Sequence, residues 1–434
     1  MKKWLIITMV LLCLTLWGCS KEPPHEHTFS EWAVTEQASC TQEGAEKRLC
    51  ADCGAEENRP VPKLPHTYAA DNVCDVCWYV DFAQDGAFVE LGNVCSYPTG
   101  DSANSVWSVK IWNGKIFRGA GSYNNNSGNT PFLAYDIESQ RWVSMGVATD
   151  EAIQRFIEID GTLYAPGIDS TESWNYGNFY VLNGETWQKM QTLPNGLHNF
   201  DMIAFDGKIF AGLGTENVRN TVAVSQDKGE SFTFVPLYRD GALLDISGYE
   251  YSRTYAFVEY SGRLYALVTF KKMNAQDYDR FVFRYENGNM VYQSAVENGM
   301  SGKTGENYWQ GRVEWNGICY LNSVSLHAVT DFSKPETHRT IPMPNNEVVA
   351  DILLYNDELY VLSFAFNADL TSKAVIYKSA TGEEGSFTEV VSFNYSSRPL
   401  SFDFDGDYFY VGTGTSWAEP SKSGMLLRVS PTLA

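Results

Sequence analysis

Five of the nine cysteines fall between positions 40 and 77: Cys40, Cys50, Cys53, Cys74 and Cys77. Cys50-Ala51-Asp52-Cys53 and Cys74-Asp75-Val76-Cys77 are Cys-x-x-Cys pairs, a spacing at which one tight turn aims both sulfurs at a common centre. Two such knuckles about 20 residues apart fit a tetrahedral zinc ribbon. Cys40, Cys50 and Cys53 with His66 form a competing ligand set. Disulfide pairing in an oxidising exterior is the alternative, and five cysteines would leave one over. Any zinc here is expected to be structural, because the segment sets no acid or base against an open coordination position. Cys95 and Cys319 stand apart from the cluster and are expected to be isolated buried thiols.

A second group of residues suits recognition. Tyr123, Trp174, Tyr176, Tyr249, Tyr251, Tyr308, Trp309 and Trp417 lie in the longest segments between β-rich runs. Exposed rings offer flat apolar faces to the C–H faces of sugars or to aliphatic side chains. Arg155, His198, Asp201, Arg253, Arg312 and Arg398 stand where β-rich runs begin. Converging guanidinium groups would grip a carboxylate or sulfate bidentately. The expected ligand-binding set is Tyr123, Trp174, His198, Arg253, Tyr308, Trp309, Arg312, Arg398 and Trp417, with an extracellular glycan or protein as partner. No nucleophile elbow is present. A hydrolase or lyase built from Tyr308, His198 and Arg253 is the second expectation; a binding protein comes first, because only six histidines occur and one is well placed.

The elements that position these residues repeat. A β-rich run, a turn pair and a second β-rich run recur at Asn113-Gly114, Asp160-Gly161, Asp206-Gly207, Ser261-Gly262, Asn316-Gly317, Asn356-Asp357 and Asp405-Gly406. The turn pairs tolerate the positive φ of a two-residue primed hairpin. Each repeat expands to four short strands, and seven such units argue for an all-β, seven-bladed β-propeller. The seventh repeat ends without room for a fourth strand. The orphan run Gly86-Ala87-Phe88-Val89-Glu90-Leu91-Gly92 is expected to supply it and so remove two exposed edges. The expected domains are a leader over 1–19, a tether over 20–26, a Cys-rich module over 27–80 and the propeller over 81–434. In a propeller the long D–A and B–C connections share one face, and binding is expected there. The hairpin turns mark the opposite, quiet face.

Met1-Lys2-Lys3 opens a leader whose apolar run, Trp4 to Trp17, has the length of a signal-peptide core. Its end, Leu16-Trp17-Gly18-Cys19, resembles the bacterial lipoprotein signal, although Trp17 stands where that signal has a small residue. The resemblance implies lipidation of Cys19 and anchoring to the outer face of a bacterial cytoplasmic membrane, at the cell surface. The net charge of −21 argues against nucleic acid and anionic lipid as partners. A monomer is expected.

Two further resemblances bear on architecture. His27-Thr28-Phe29, Trp32, Cys40-Thr41, Cys50 to Gly54 and His66 resemble a Cys-rich repeat of Gram-positive surface proteins, which implies location more than activity. Ser225-Gln226-Asp227-Lys228-Gly229-Glu230-Ser231-Phe232 resembles the Asp-box of sialidases and related propellers, and Ser379 to Phe387 looks like a degenerate copy. The box implies a structural C–D hairpin, with the Asp on turn amides and the aromatic packed below. The arginine motif of sialidases is missing, so their chemistry is not implied.

Overall fold

The computed structural model describes residues 26–68, 72–82, 87–93, 102–172, 175–215, 218–296 and 309–431. Cys13, Cys19, Cys95, Trp174 and Tyr308 lie outside the described residues. The chain divides into two compact units, one ending at His66 and one beginning at Thr67.

The first unit is a three-stranded antiparallel sheet of Ala33–Glu36, Gly44–Leu49 and Glu56–Val61. Its strands are mostly exposed, so apolar burial alone is a weak source of stability at this size. Charge and rings take over part of the work. The Arg48 guanidinium lies 4.5 Å over Phe29 and 4.7 Å over Trp32, and Arg59 lies 4.2 Å over Trp32. Both arginines also pair with carboxylates, Arg48 with Glu57 at 2.6 Å and Arg59 with Glu46 at 2.7 Å.

The second unit is a seven-bladed β-propeller. Its inner strands, in chain order, are Ser108–Trp112, Ile157–Ile159, His198–Phe205, Tyr249–Tyr260, Arg312–Trp315, Val348–Tyr355 and Pro399–Phe404. Each is followed outward by hairpin-linked strands. Blades stack face to face, so the second strand of each is buried on both sides and reads as an apolar run. Leu264, Ala266, Leu267 and Val268 in the fourth blade are fully buried. Six of the seven repeated turn pairs have positive φ at both residues, as in Asn113 (47°) and Gly114 (74°), the primed-turn geometry. The seventh departs. There only Gly406 is positive, at 105°, and the Asp405 carboxylate accepts the Asp407 and Tyr408 N–H groups at 2.8 and 2.7 Å.

The ring closes on its own N-terminal strand. Phe88–Gly92 pairs antiparallel with Leu426–Val429, Phe88 opposite Val429 and Gly92 opposite Leu426, as the fourth strand of the seventh blade. The Cys-rich module is shorter than the 27–80 read from the sequence. Residues 72–82 belong to the propeller unit because their valines pack there. Val73 and Val80 share an apolar cluster with Leu91, Val109 and Trp142, and the Val80 N–H donates to the Gln140 carbonyl at 2.9 Å.

Three aspartates on inner strands fasten neighbouring blades. Asp201, Asp351 and Asp403 each accept the N–H of the next residue with one oxygen, at 3.0, 2.9 and 2.9 Å. With the other oxygen they accept an N–H from the inner strand of the following blade: Phe257 at 2.7 Å, Phe402 at 3.2 Å and Ile111 at 2.8 Å. Burial pushes the Asp351 carboxyl up to about 7, against the two N–H donors that favour its charge. Its folded pKa thus exceeds the unfolded value near 4. The sign follows: its protonated form adds stability below about pH 4 that is lost as pH rises to about 7. Asp351→Asn, which cannot ionise, should therefore gain on the native chain by an amount on the order of 3–4 kcal/mol between pH 4 and 8. Urea unfolding of both chains across that range measures the gap, and a gap independent of pH would refute the ionisation.

The Asp-box folds as its resemblance implies. Asp227 accepts the Ser231 N–H at 2.9 Å and the Ser225 hydroxyl at 2.7 Å. The Ser231 hydroxyl, then that of Ser225, hold the carboxyl down at about 2. Phe232 is buried beneath, 6.0 Å from Phe179.

Candidate functional site

The third and fourth blades are joined edge to edge: Gly214 and Thr215 of one pair with Arg253 and Ser252 of the other. Ile168 in turn pairs with His198, which starts the inner strand of the third blade. These extra pairings bring three residues of the expected set together. The His198 ring lies 5.4 Å from Tyr123 and 5.2 Å from Phe200, nearly parallel to the latter. An Arg253 Nη stands 3.5 Å from His198 Nε2, and the other donates to the Tyr255 hydroxyl at 3.3 Å. The guanidinium also sits 4.9 Å over the Tyr251 ring. Gly214 forms the floor, where an added Cβ would meet His198 Cδ2 at 2.7 Å and Phe200 Cε2 at 2.9 Å. No larger residue fits there.

Asp169 completes the group. Its left-handed backbone, φ 57°, is held by its N–H donating to the Leu197 carbonyl at 2.9 Å. That turn sets its carboxylate against His198 Nδ1, which favours the tautomer with the proton on Nδ1 and leaves Nε2 as an acceptor. Burial lowers the His198 pKa, Asp169 opposes the shift and Arg253 adds to it, with a net decrease. The imidazole is therefore neutral at pH 7. Arg253 is half-buried and has no carboxylate within ion-pair distance among the described residues. Leu197, His198, Gly214, Thr215, Tyr251 and Arg253 line a cleft of about 100 Å³. A ligand-sized pocket needs about 300–1,000 Å³, so the cleft admits one carboxylate- or sulfate-sized group of something larger.

The remaining expected residues scatter. Trp309 is fully buried against Phe332, ring centroids 5.8 Å apart, and Val258 and Leu267 share its cluster. It is a core residue, which corrects its placement on the binding face. Arg312 is corrected as well: it contacts both oxygens of the buried Asp201, at 3.0 and 2.9 Å, while Arg155 reaches the same carboxylate at 2.9 Å. These two arginines neutralise a buried charge and do not present themselves to a ligand. Arg398 is half-buried in the seventh blade, and its carbonyl accepts the Gly414 N–H at 2.9 Å. Trp417 is 62 % exposed, in another loop and outside the cleft lining. Trp174 and Tyr308 fall outside the described residues.

No family model matches the chain. No curated protein matches it either. Similar solved structures include the WD40 β-propeller domain of Doa1, 12 % identical with a TM-score of 0.45, covering 79 % of this chain and 96 % of that one. The propeller domain of the Trilobed protease from Pyrococcus furiosus is 10 % identical with a TM-score of 0.42, over 74 % and 94 %. BamB from Moraxella catarrhalis is 10 % identical with a TM-score of 0.36, over 75 % and 83 %. The propeller assignment rests on the strand pairing described above, and these likenesses carry no functional argument.

Of two larger openings, one has its single lining cation paired, and the other sets an exposed Lys228 among the carboxylates of Asp160, Asp206 and Glu259. One of about 510 Å³ is lined by Glu90, Asn367, Asp369, Tyr395, Glu419 and Lys422 among others, but Lys422 already pairs with Glu90 at 2.5 Å. The other, of about 440 Å³, opens among the hairpin turns around Asp160 and Asp206, on the face that the sequence marks as quiet. There Lys208 pairs with Asp206 at 2.7 Å.

Cysteines and histidines form groups able to hold a metal. In the first unit His27, Cys50 and Cys53 bring donor atoms within 4.8 Å of one another. Cys40 and His66 bring their donor atoms within 4.8 Å of each other apart from that group, so the expected set of Cys40, Cys50, Cys53 and His66 divides in two. The reason is local: residue 29 bridges Cys50 in the sheet, so the chain ahead of it, not the distant His66, arrives beside the knuckle. In the second unit the Cys74 and Cys77 sulfurs also lie within 4.8 Å of each other. Cys319 is a buried free thiol, its pKa raised by burial.

Sequence reasoning reached Tyr123, His198 and Arg253 through their places at strand starts and in long loops. It missed Asp169, Phe200 and Tyr255 as partners. Phe200 and Tyr255 follow His198 and Arg253 by two residues, the strand spacing that returns a side chain to the same face, and that spacing was the available signal.

Proposed function

We propose that the protein is a lipoprotein, anchored through Cys19 at the outer face of a bacterial cytoplasmic membrane, whose propeller binds an acidic extracellular glycan. The leader supports the location. The observation that carries the binding reading is Arg253, a half-buried guanidinium without a carboxylate partner among the described residues, in an aromatic-walled cleft sized for one acidic group. The Cys-rich unit serves as a spacer held by structural zinc. An extracellular protein offering a single acidic side chain is the competing partner.

The test is a glycan array probed with the full chain, comparing uronate- and sulfate-bearing glycans with neutral ones. Acidic glycans are expected to bind, and Arg253→Gln to weaken them about 10- to 100-fold, the range for hydrogen bonds to charged groups. Because the chain carries −21 overall, moderate salt should speed association by screening repulsion, the reverse of a polybasic binder. Equal binding by Arg253→Gln, or binding to neutral glycans alone, would overturn the reading.

The His198–Asp169 contact favours one alternative: a glycan lyase or hydrolase at the same cleft. In the lyase form Arg253 neutralises a uronate carboxylate and His198 Nε2 takes the proton beside it. The C–H electrons form a C=C bond as the C–O bond at the adjacent carbon breaks, and the leaving oxygen takes a proton from solvent. Unsaturated uronate product distinguishes this from binding without turnover.

A further inference from the structure

The cluster in the first unit includes a ligand that the Cys-x-x-Cys spacing does not announce. We propose that His27, Cys50 and Cys53 form a Cys₂His site for one zinc ion, with His27 as its third protein ligand. This rests on the zinc reading of the Cys-rich unit and specifies which residues carry it.

Three observations support the assignment. First, the knuckle is formed: the Gly54 N–H donates to the Cys50 carbonyl at 2.9 Å, Cys50 N–H donates to the Ala55 carbonyl at 2.9 Å, and Gly54 takes φ 72°. This tight turn places both sulfurs on one side. Second, the strand ahead of the knuckle is fastened to it. Phe29 bridges Cys50, and the Ala51 N–H donates to the Thr28 carbonyl at 3.0 Å. His27, its ring tilted against Phe29 at 5.3 Å, is thereby delivered to the sulfurs. Third, the distance fits. Donors at about 2.0 Å (N) and 2.3 Å (S) from one tetrahedral zinc lie roughly 3.5 Å apart. His27 Nδ1 and Cys53 Sγ are 3.3 Å apart.

The donor set selects the ion. Two thiolates and an imidazole suit zinc, whereas calcium and magnesium require oxygen ligands. On binding, each thiol releases its proton to solvent as its Zn–S bond forms, and neutral His27 gives a lone pair. No fourth Cys, His, Asp or Glu among the described residues joins the group. The gain is clear for a unit whose strands are mostly exposed: a metal cross-link ties the segment before the first strand to the turn after the second.

His27 and Cys53 are both exposed, so His27→Ala and Cys53→Ser remove a ligand without opening a core. The full chain and both variants, purified in detergent, are compared for zinc per chain after exhaustive dialysis. The same chains loaded with cobalt(II) are compared by the thiolate-to-metal charge-transfer band. The expected result is one equivalent of zinc fewer in each variant and a weaker band, with the propeller's melting temperature unchanged. Zinc retained in full by both variants would overturn the assignment while leaving the zinc reading intact. Zinc absent from the native chain, or peptide mapping that recovers Cys50 and Cys53 as a disulfide, would sink both.

Discussion

Asp201→Ala is expected to destabilise the propeller by about 3–5 kcal/mol, the cost of breaking a buried ion cluster from one side. Asp201 is fully buried and holds four groups at once: Arg155 of the second blade, Arg312 of the fifth, and the N–H groups of Met202 and Phe257. Removing it leaves two buried guanidinium groups facing each other without a counter-charge. Burial already lowers the Arg312 pKa, with Asp201 opposing that shift, so the loss falls on a group near its limit of desolvation. Asp201→Asn keeps an acceptor for one N–H but not the charge. It should recover little. Adding Arg155→Met and Arg312→Met to Asp201→Ala should restore much of the loss, since apolar residues of similar volume tolerate that site better than unpaired charges. Denaturant unfolding followed by tryptophan fluorescence measures all four chains. A loss below about 1 kcal/mol for Asp201→Ala would mean that solvent reaches the arginines and the cluster is not buried in solution.

The contrast with Asp351 shows why aspartates at equivalent strand positions carry different weight. Both accept two N–H groups in the same pattern. Asp201 is ion-paired with both Arg155 and Arg312, whereas Asp351 feels Arg155 only weakly and burial takes its pKa to about 7. The blade-to-blade fastening is thus shared, and the charge balance is particular to each site.

The fastening role of these aspartates was not legible in the sequence, although Asp201 stands out among the residues where β-rich runs begin. In Asn199-Phe200-Asp201-Met202 and Ser401-Phe402-Asp403-Phe404 the acid occupies a position that a strand pattern assigns to any polar residue. Its partner N–H belongs to the next blade of the ring, 56 residues away for Asp201 and 292 for Asp403, and backbone groups leave no trace in sequence. The turns, by contrast, announce themselves, because positive φ restricts which residues can stand there. The closing strand was legible for a similar reason: a four-strand unit with three strands left a defined gap. Trp309 failed because a long connection was equated with exposure, whereas its ring turns inward at the entry to the next inner strand. The cleft was half legible. Residue type placed His198 and Arg253 at strand starts, but the pairing of Gly214 with Arg253 that joins them lies in the joining of two blades, a feature of packing and not of either repeat alone. His27 escaped because a ligand before the first knuckle is fixed by a strand bridge, and cysteine spacing carries no information about it.

Deleting residues 87–92 should remove the cooperativity of propeller unfolding. The segment supplies the fourth strand of the seventh blade and buries Val89 and Leu91, while Phe88 packs 5.2 Å from Phe393 and 5.4 Å from Tyr395. Each of these side chains contributes about 1.5–3 kcal/mol on burial, so together they match much of a domain's net stability of about 5–15 kcal/mol. Glu90 adds polar ties to Lys422 at 2.5 Å and to the Tyr395 hydroxyl at 3.0 Å. The loss also differs in kind from a core truncation. Without this strand the last blade keeps its packing on the sixth and its Asp403–Ile111 tie to the first, but the edge of Leu426–Val429 is bare, and the first blade loses the face where Leu91 packs with Val109 and Trp142. Unfolding should then begin at blades seven and one and spread, giving a broad or stepwise melt and a tendency to pair edge to edge with other chains. Leu91→Ala provides the graded version, with an expected cost of about 2–5 kcal/mol and a single transition retained, since the strand itself remains. A synthetic peptide spanning residues 86–93, added to the deletion chain, should restore part of the lost stability in proportion to its concentration. If the deletion chain melts in one transition at the native temperature, the ring is held by the stacking of its blades and the closing strand is dispensable.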